Sequence, residues 1–173
     1  MPINATINGT TTGDGIKGTA ESDVIAAGSG KDRVVAAAGD DTVFGGTGVD
    51  KVYGGDGNDE LYGNGGADRL YGGSGNDTIV GGIGDDVLYG DNPNDGNDNE
   101  GGVDTFVFSI ADGKDNILDF ETNVDLIQFI DGSEADLSFA YKGDATIITY
   151  GTTTITVYDA YLDASDIGTS LLF

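Results

Sequence analysis

Residues 45–89 read GGTGVDKVY, GGDGNDELY, GNGGADRLY, GGSGNDTIV and GGIGDDVLY, five nonapeptides with nothing between them. In each, Asp stands sixth and an aliphatic residue eighth: Asp50 and Val52, Asp59 and Leu61, Asp68 and Leu70, Asp77 and Ile79, Asp86 and Leu88. The period runs on in both directions. Upstream it meets Asp41, Asp32, Asp23 and Asp14 with Val43, Val34, Ile25 and Ile16; downstream it meets Asp95 and Asp104, followed two residues later by Asn97 and Phe106. Two residues before most of these aspartates stands Gly: Gly30, Gly39, Gly48, Gly57, Gly66, Gly75, Gly84 and Gly102, with Glu21 and Pro93 as departures.

A period this regular is read before anything else, because repeats decide the architecture. Each unit is expected to be a Gly-rich turn of about six residues and a strand of about three, whose middle side chain points inward. Two units close one coil, so residues eighteen apart stack as parallel neighbours. Val34, Val52, Leu70 and Leu88 then fill one wall, and Ile25, Val43, Leu61 and Ile79 the other. The expected fold is an all-β, two-sheet solenoid.

The 173 residues carry 31 acids against 7 bases, a net charge of -24. Nucleic acid and anionic membranes are poor partners for such a chain, and cations are the expected ones. Of the acids, 26 are Asp and five Glu, which favours turns and hard-cation binding over helices. Cys and His are both absent, which removes disulfides, thiolate or imidazole zinc sites and His-based catalysis. No apolar run approaches the roughly 18 residues of a membrane span. Met1 to Lys17 has neither the basic start nor the apolar core of a secretory signal peptide, so any export is expected to use another route.

Two aliphatic side chains per coil are a small return for ordering eighteen residues, many of them glycine, and the stacked carboxylates repel one another. A cation between the turns resolves both problems. Asp carboxylates and turn carbonyls are the hard oxygen ligands that calcium takes.

The repeats from Gly18 to Tyr89, clearest in GGTGVDKVY, GGDGNDELY, GGSGNDTIV and GGIGDDVLY, resemble the GGxGxDxUx nonapeptide of the RTX calcium-binding family. That resemblance implies a right-handed parallel β-roll with 18 residues per coil. It also implies ions held between turns by the sixth-position Asp and by turn carbonyls. Carried over by position, the ligands are Asp23, Asp32, Asp41, Asp50, Asp59, Asp68, Asp77, Asp86 and Asp104, with Gly45, Gly54, Gly63, Gly72 and Gly81, for about five to eight calcium ions by coil pairing.

Gly90 to Gly101 stays in period but loses its inward apolar residue, which predicts a looped-out excursion. Beyond it, Thr105 to Ser109, Asn116 to Phe120, Leu126 to Ile130, Leu137 to Tyr141, Ala145 to Tyr150 and Thr153 to Tyr158 read as strands of a C-terminal β cap, the last two forming a hairpin at Gly151 and Thr152. VDTFVFS and residues 114–129 are similar to the segment that closes the roll in serralysin-type proteases and mannuronan epimerase modules; no catalytic domain of such enzymes is recognisable. Asp115, Asp119 and Asp125 are either further ion ligands or solvated strand residues. The end, DASDIGTSLLF, resembles an uncleaved type I export signal, and an ordinary last strand or helix is the plain alternative.

The expected organisation is a lead-in over 1–17, repeats over 18–89, an irregular loop and last repeat over 90–104, the cap over 105–158 and an export signal over 159–173. One strip stands apart from the motif. Arg33, Lys51 and Arg69 form an outward column beside Val35, Tyr53, Tyr71 and Tyr89, a candidate contact for an acidic polysaccharide, or else a ladder that serves the sheet itself. The expected function is that of a secreted, extracellular, non-enzymatic calcium-binding protein that meets the type I export machinery and folds on calcium outside the cell. The alternative is a secretion and folding module of a larger exported enzyme. A glycan-processing enzyme would rest on paired carboxylates alone, which a regular array explains better.

Overall fold

The computed structural model describes residues 5–92, 102–133, 136–158, 160, 162–163 and 171–172. It is a parallel β-solenoid of about 6 turns with about 18 residues each, and no α-helix occurs among the described residues. One sheet holds, in spatial order, β1 (Thr6–Asn8), β3 (Val24–Ser29), β5 (Thr42–Thr47), β7 (Glu60–Gly65), β9 (Thr78–Ile83), β11 (Thr105–Phe108), β13 (Leu126–Phe129) and β17 (Leu171–Leu172). The other runs β14 (Leu137–Lys142), β15 (Ala145–Tyr150), β16 (Thr153–Val157), β12 (Lys114–Ile117), β10 (Val87–Tyr89), β8 (Arg69–Ser74), β6 (Lys51–Asp56), β4 (Arg33–Ala38) and β2 (Gly15–Lys17).

The register is the one the period dictates. Val34 pairs with Val52, Val52 with Leu70 and Leu70 with Leu88; opposite them Ile25 pairs with Val43, Val43 with Leu61 and Leu61 with Ile79. All eight are fully buried.

The strands differ from expectation in length. Those from β3 to β9 have six residues rather than about three, and each turns two positions inward. The second inward place, two residues after the aliphatic, holds Ala27, Ala36, Gly45, Gly54, Gly63, Gly72 and Gly81 in succession. These residues carry no apolar bulk, so the sequence did not mark them as core. Space explains the small side chain: a Cβ on Gly54 would stand 2.6 Å from the Gly72 carbonyl oxygen and closer still to the Asp59 carboxylate.

Past β10 the regular step breaks. Strand β9 pairs with β11 by joining Ile79 to Phe106, a step of 27 residues, so one whole nonapeptide lies outside the ladder, as the loss of its inward residue predicted. Residues 93–101, with Asp95, fall outside the described residues. The cap strands lie at the expected places, except that the second, expected at 116–120, is Lys114–Ile117. The cap is also no separate layer. β12 pairs with β10 and β16 with β12, and the antiparallel run β14, β15 and β16 extends the same sheet. Larger side chains fill it: Phe106 faces Phe120 at 6.1 Å and Phe129 meets Tyr150 at 4.5 Å between ring centroids, in one cluster with the roll's aliphatics. The chain returns at Leu171–Leu172 to pair with Ile127 and Gln128 of β13, so the tail carries a short strand.

The second glycine place of the turn requires positive φ, found at Gly28, Gly46, Gly55, Gly73 and Gly82, but also at Ala37 (φ 99) and Asn64 (φ 71). Replacing Ala37 by Gly is therefore expected to raise stability by up to about 1 kcal/mol, whereas Gly54→Ala is expected to cost about 1–3 kcal/mol through overpacking. Thermal melts of the two variants at fixed calcium check both signs.

Candidate metal centre

Each repeat leads its chain around a tight turn and re-enters the sheet at Asp, so the Asp side chain lies at the inner corner of the coil. There it closes the next coil down. The Asp32 backbone N–H donates to Oδ1 of Asp50 at 2.8 Å, Asp50 to Asp68 at 2.8 Å and Asp68 to Asp86 at 2.7 Å. On the other side Asp41 donates to Asp59 at 2.8 Å, Asp59 to Asp77 at 2.7 Å and Asp77 to Asp104 at 2.9 Å. Two columns of carboxylates thus run along the solenoid, and Asp23, Asp32, Asp41, Asp50, Asp59, Asp68, Asp77, Asp86 and Asp104 are all buried.

The second oxygen is the informative one. Oδ2 of Asp32, Asp41, Asp50, Asp59, Asp68, Asp77, Asp86 and Asp115 is buried and has no hydrogen-bond partner. A buried polar atom without a partner costs about 1–3 kcal/mol, and more when charged. Burial accordingly pushes the carboxyls of Asp59, Asp68 and Asp77 up to about 7, those of Asp41 and Asp86 to about 6 and that of Asp104 to about 8. Hydrogen bonds from the preceding Asp oppose the shift, and neighbouring carboxylates add to it.

The expected glycines enter in two ways. A Cβ on Gly45 would meet the Gly63 carbonyl oxygen at 2.9 Å and Asp50 Oδ2 at 3.1 Å; on Gly63 it would meet the Gly81 oxygen at 2.5 Å and Asp68 Oδ2 at 2.7 Å. The missing side chains of Gly45, Gly54 and Gly63 therefore keep open a space onto which a carboxylate oxygen and the carbonyl of Gly63, Gly72 or Gly81 converge. Among the described residues no three acidic side chains gather at one point, so an ion here would draw on main-chain oxygen as well as on Asp. That hard, mixed oxygen set fits calcium, which accepts irregular coordination by carboxylates and carbonyls.

The ends of the columns are built differently. Asp23, expected as a ligand, has both oxygens engaged: Oδ1 accepts from the Ala5 N–H at 2.9 Å and Oδ2 from the Thr19 N–H at 2.7 Å. Hydrogen bonds thereby outweigh burial and hold this carboxyl below its ordinary value. Asp14 is closed in the same way by the Thr10 N–H at 2.6 Å. Both threonines stand where later repeats have a positive-φ residue, a conformation a β-branched side chain resists. In the Gly73 turn the equivalent N–H bonds the Gly90 carbonyl at 2.9 Å instead.

At the other end the columns outlast the repeats. Asp115 takes the N–H of Asp86 at 2.9 Å and Asp125 that of Asp104 at 3.0 Å; both are buried rather than solvated. Asp119 accepts from the Gly90 and Asp91 N–H groups at 2.9 and 3.1 Å. A signal for the first two was present. Gly113, Asp115 and Ile117, like Asn123, Asp125 and Ile127, keep the turn residue two before and the aliphatic two after, and both Gly113 and Asn123 have positive φ. Only the spacing had lengthened.

The basic and aromatic strip lies as expected, with Arg33, Lys51 and Arg69 in register and Tyr53, Tyr71 and Tyr89 stacked at 4.7–4.8 Å between centroids. Arg33 and Lys51 lie over the Tyr53 ring at 5.0 and 4.9 Å. Arg33 and Lys51 thus pack on the tyrosine ladder, and Lys51 also lies 5.2 Å over the Tyr71 ring.

A family model of the RTX calcium-binding nonapeptide repeat matches four times, at residues 8–43, 36–70, 44–79 and 62–99. No curated protein matches. Among solved structures, the extracellular lipase LipA of Serratia marcescens is similar over 100% of this chain and 40% of its own, at 20% identity and a TM-score of 0.52, which is a likeness of fold. The AlgE6R3 subunit of the Azotobacter vinelandii mannuronan C5-epimerase is similar over 78% of each chain, at 25% identity and a TM-score of 0.34. The chain thus spans less than half the length of the lipase. The family matches cover more than half of the chain and fall on the turns whose buried Asp Oδ2 atoms have no hydrogen-bond partner: this chain belongs to the RTX calcium-binding nonapeptide repeat family.

Proposed function

We propose that this chain is a secreted, non-enzymatic protein whose calcium-binding β-roll folds on binding several calcium ions outside the cell; its repeat is a calcium-binding rather than a catalytic element. The observation that carries this reading is the row of buried, unpartnered Asp Oδ2 atoms, which makes the metal-free roll electrostatically costly and the loaded one favourable. Cytosolic calcium lies far below the roughly 10⁻⁴–10⁻³ M that loads extracellular modules, so a net charge of -24 would keep the chain unfolded inside and the ions would fold it outside. The extracellular lipase of the same fold supports that location.

Export by a type I system reading the tail belongs to the same proposal; residues 164–170 and 173 of that tail lie outside the described residues. A second reading, a secretion and folding module of a larger exported enzyme, is favoured by the lipase, which carries this fold within a longer chain. Both readings share the calcium step. An acidic polysaccharide would meet the protein at the Arg33, Lys51 and Arg69 column, and serine at all three positions is expected to abolish such binding in a pull-down on the polysaccharide.

A calcium titration from metal-free protein to about 10 mM, a range set by extracellular modules, should turn a disordered far-ultraviolet circular dichroism spectrum into a strand spectrum cooperatively. Magnesium, which holds its waters and demands octahedral geometry, should not. A strand spectrum indifferent to calcium would end the folding switch.

The raised carboxyls give a pH dependence of definite sign. Their folded values, about 6 to 8, lie above the roughly 3.9 of an unfolded Asp. Metal-free stability is therefore greatest below about pH 4 and is lost as pH rises through 6 to 8. Melts of calcium-depleted protein at pH 5 and pH 8 should show the more stable fold at pH 5, and saturating calcium should reverse the order.

Single variants separate a column's middle from its end. Asp59→Asn removes an unpaired buried charge, so it should stabilise the metal-free protein at pH 8 while reducing the calcium count and the stability of the loaded one. Asp23→Asn removes an acceptor from Thr19 and should destabilise the calcium-loaded form, by about 1 kcal/mol, with the calcium count unchanged. Calcium counting and paired melts give both readouts.

A further inference from the structure

We infer that Asp115, outside the nonapeptide repeats, holds a further calcium ion together with Asp86 at the junction of roll and cap. The inference rests on the calcium reading of the columns and extends it by one gap.

The two columns have four ends, and three are closed by hydrogen bonds. Asp14 Oδ2 accepts from the Thr10 N–H at 2.6 Å and the Thr10 hydroxyl at 2.8 Å, and Asp23 is closed by Thr19 and Ala5. Asp125 spends Oδ1 on the Asp104 N–H and Oδ2 on the Glu121 N–H at 2.8 Å. The fourth end is open. Asp115 gives Oδ1 to the Asp86 N–H, but its Oδ2 has no partner although the residue is only 1% exposed.

Across the gap, Asp86 repeats the pattern at 0% exposure, with Oδ2 equally unpartnered. Gly81 leaves the space beside that oxygen open, since a Cβ there would stand 2.5 Å from it. Asp86 and Asp115 thus each bring one unpaired carboxylate oxygen, as Asp68 and Asp86 do within the repeats, while the carbonyl oxygen of the next coil that stands beside Gly45, Gly54 and Gly63 is not among the atoms nearest Gly81. The turn matches too: Gly113 has φ +135 and bridges to Gly84, as the turn glycines of successive coils do.

The surroundings deepen the demand for a cation. The carboxylates of Asp85 and Asp112 both act unfavourably on Asp86 and on Asp115. Asp112 is fixed there by the Ser109 N–H and hydroxyl, and Asp85 by the Lys114 N–H. A divalent cation with a preference for oxygen between Asp86 and Asp115 would relieve that repulsion. Its placement ties the cap to the roll, because β12, which carries Asp115, is the strand through which β16 and the rest of the antiparallel cap join the sheet.

The test counts ions on the full chain at saturating calcium by native mass spectrometry. Asp115→Asn keeps an oxygen for the Asp86 N–H and removes the charge. It is expected to bind one ion fewer than the unmodified protein, with faster amide exchange at residues 114–117 while the repeat strands stay protected. An unchanged ion count would overturn the inference and leave a proton as the partner of Asp115. Anomalous scattering from terbium in crystals of the unmodified protein gives an answer even if the variant fails to fold. A peak between Asp86 and Asp115 is expected; peaks in the repeat gaps with none here would overturn the assignment. Unmodified protein that took up no ion at all would instead sink the calcium reading of the whole array.

Discussion

Everything in this molecule follows from carboxylates stacked at the spacing of parallel strands, roughly 4.8 Å. At that distance each interior Asp from Asp32 to Asp86 has one oxygen occupied by a backbone N–H of the adjacent coil and the other buried without a hydrogen-bond partner, among neighbours of the same charge. Attraction between N–H and Oδ1 fixes the column in place; repulsion among the Oδ2 atoms makes it unfinished. A hard divalent cation would answer both conditions, since it takes carboxylate and carbonyl oxygen together.

The glycines belong to the same logic. In the first place of the repeat the absent Cβ keeps open the space where a carboxylate and a carbonyl from the next coil converge. In the second place positive φ turns the N–H away from Asp. Where threonine occupies that place, at Thr10 and Thr19, the N–H swings onto the carboxylate and satisfies it directly. One residue type thus decides whether the carboxylate of an otherwise similar turn is left unpaired or receives the turn's own hydrogen bond.

The cap shows how such a column is brought to an end. Its larger side chains, Phe106, Phe120, Phe129 and Tyr150, supply the burial that two aliphatics per coil do not, in one continuous cluster with the roll. Strand β12 carries both functions at once: Ile117 extends the aliphatic wall and Asp115 extends the carboxylate column. The cap and the carboxylate column therefore meet in a four-residue strand.

The sequence by itself determined the period, and with it the coil length, the two walls, their register and the identity of the repeat carboxylates, because in a solenoid the spacing along the chain is also the spacing across the sheet. It also showed where the ladder would skip, since Asn97 cannot fill an inward place. Tertiary structure decided what depends on neighbours a whole coil away. The strands proved twice as long because Ala27, Ala36 and the first glycines of later repeats are inward by proximity to the next coil rather than by hydrophobicity. Asp23 parted from Asp32 through hydrogen bonds that the repeat pattern does not encode. Asp115 and Asp125 joined the columns although the spacing had stretched to eleven and ten residues, because it is strand pairing, not period, that sets which carboxylate meets which backbone N–H.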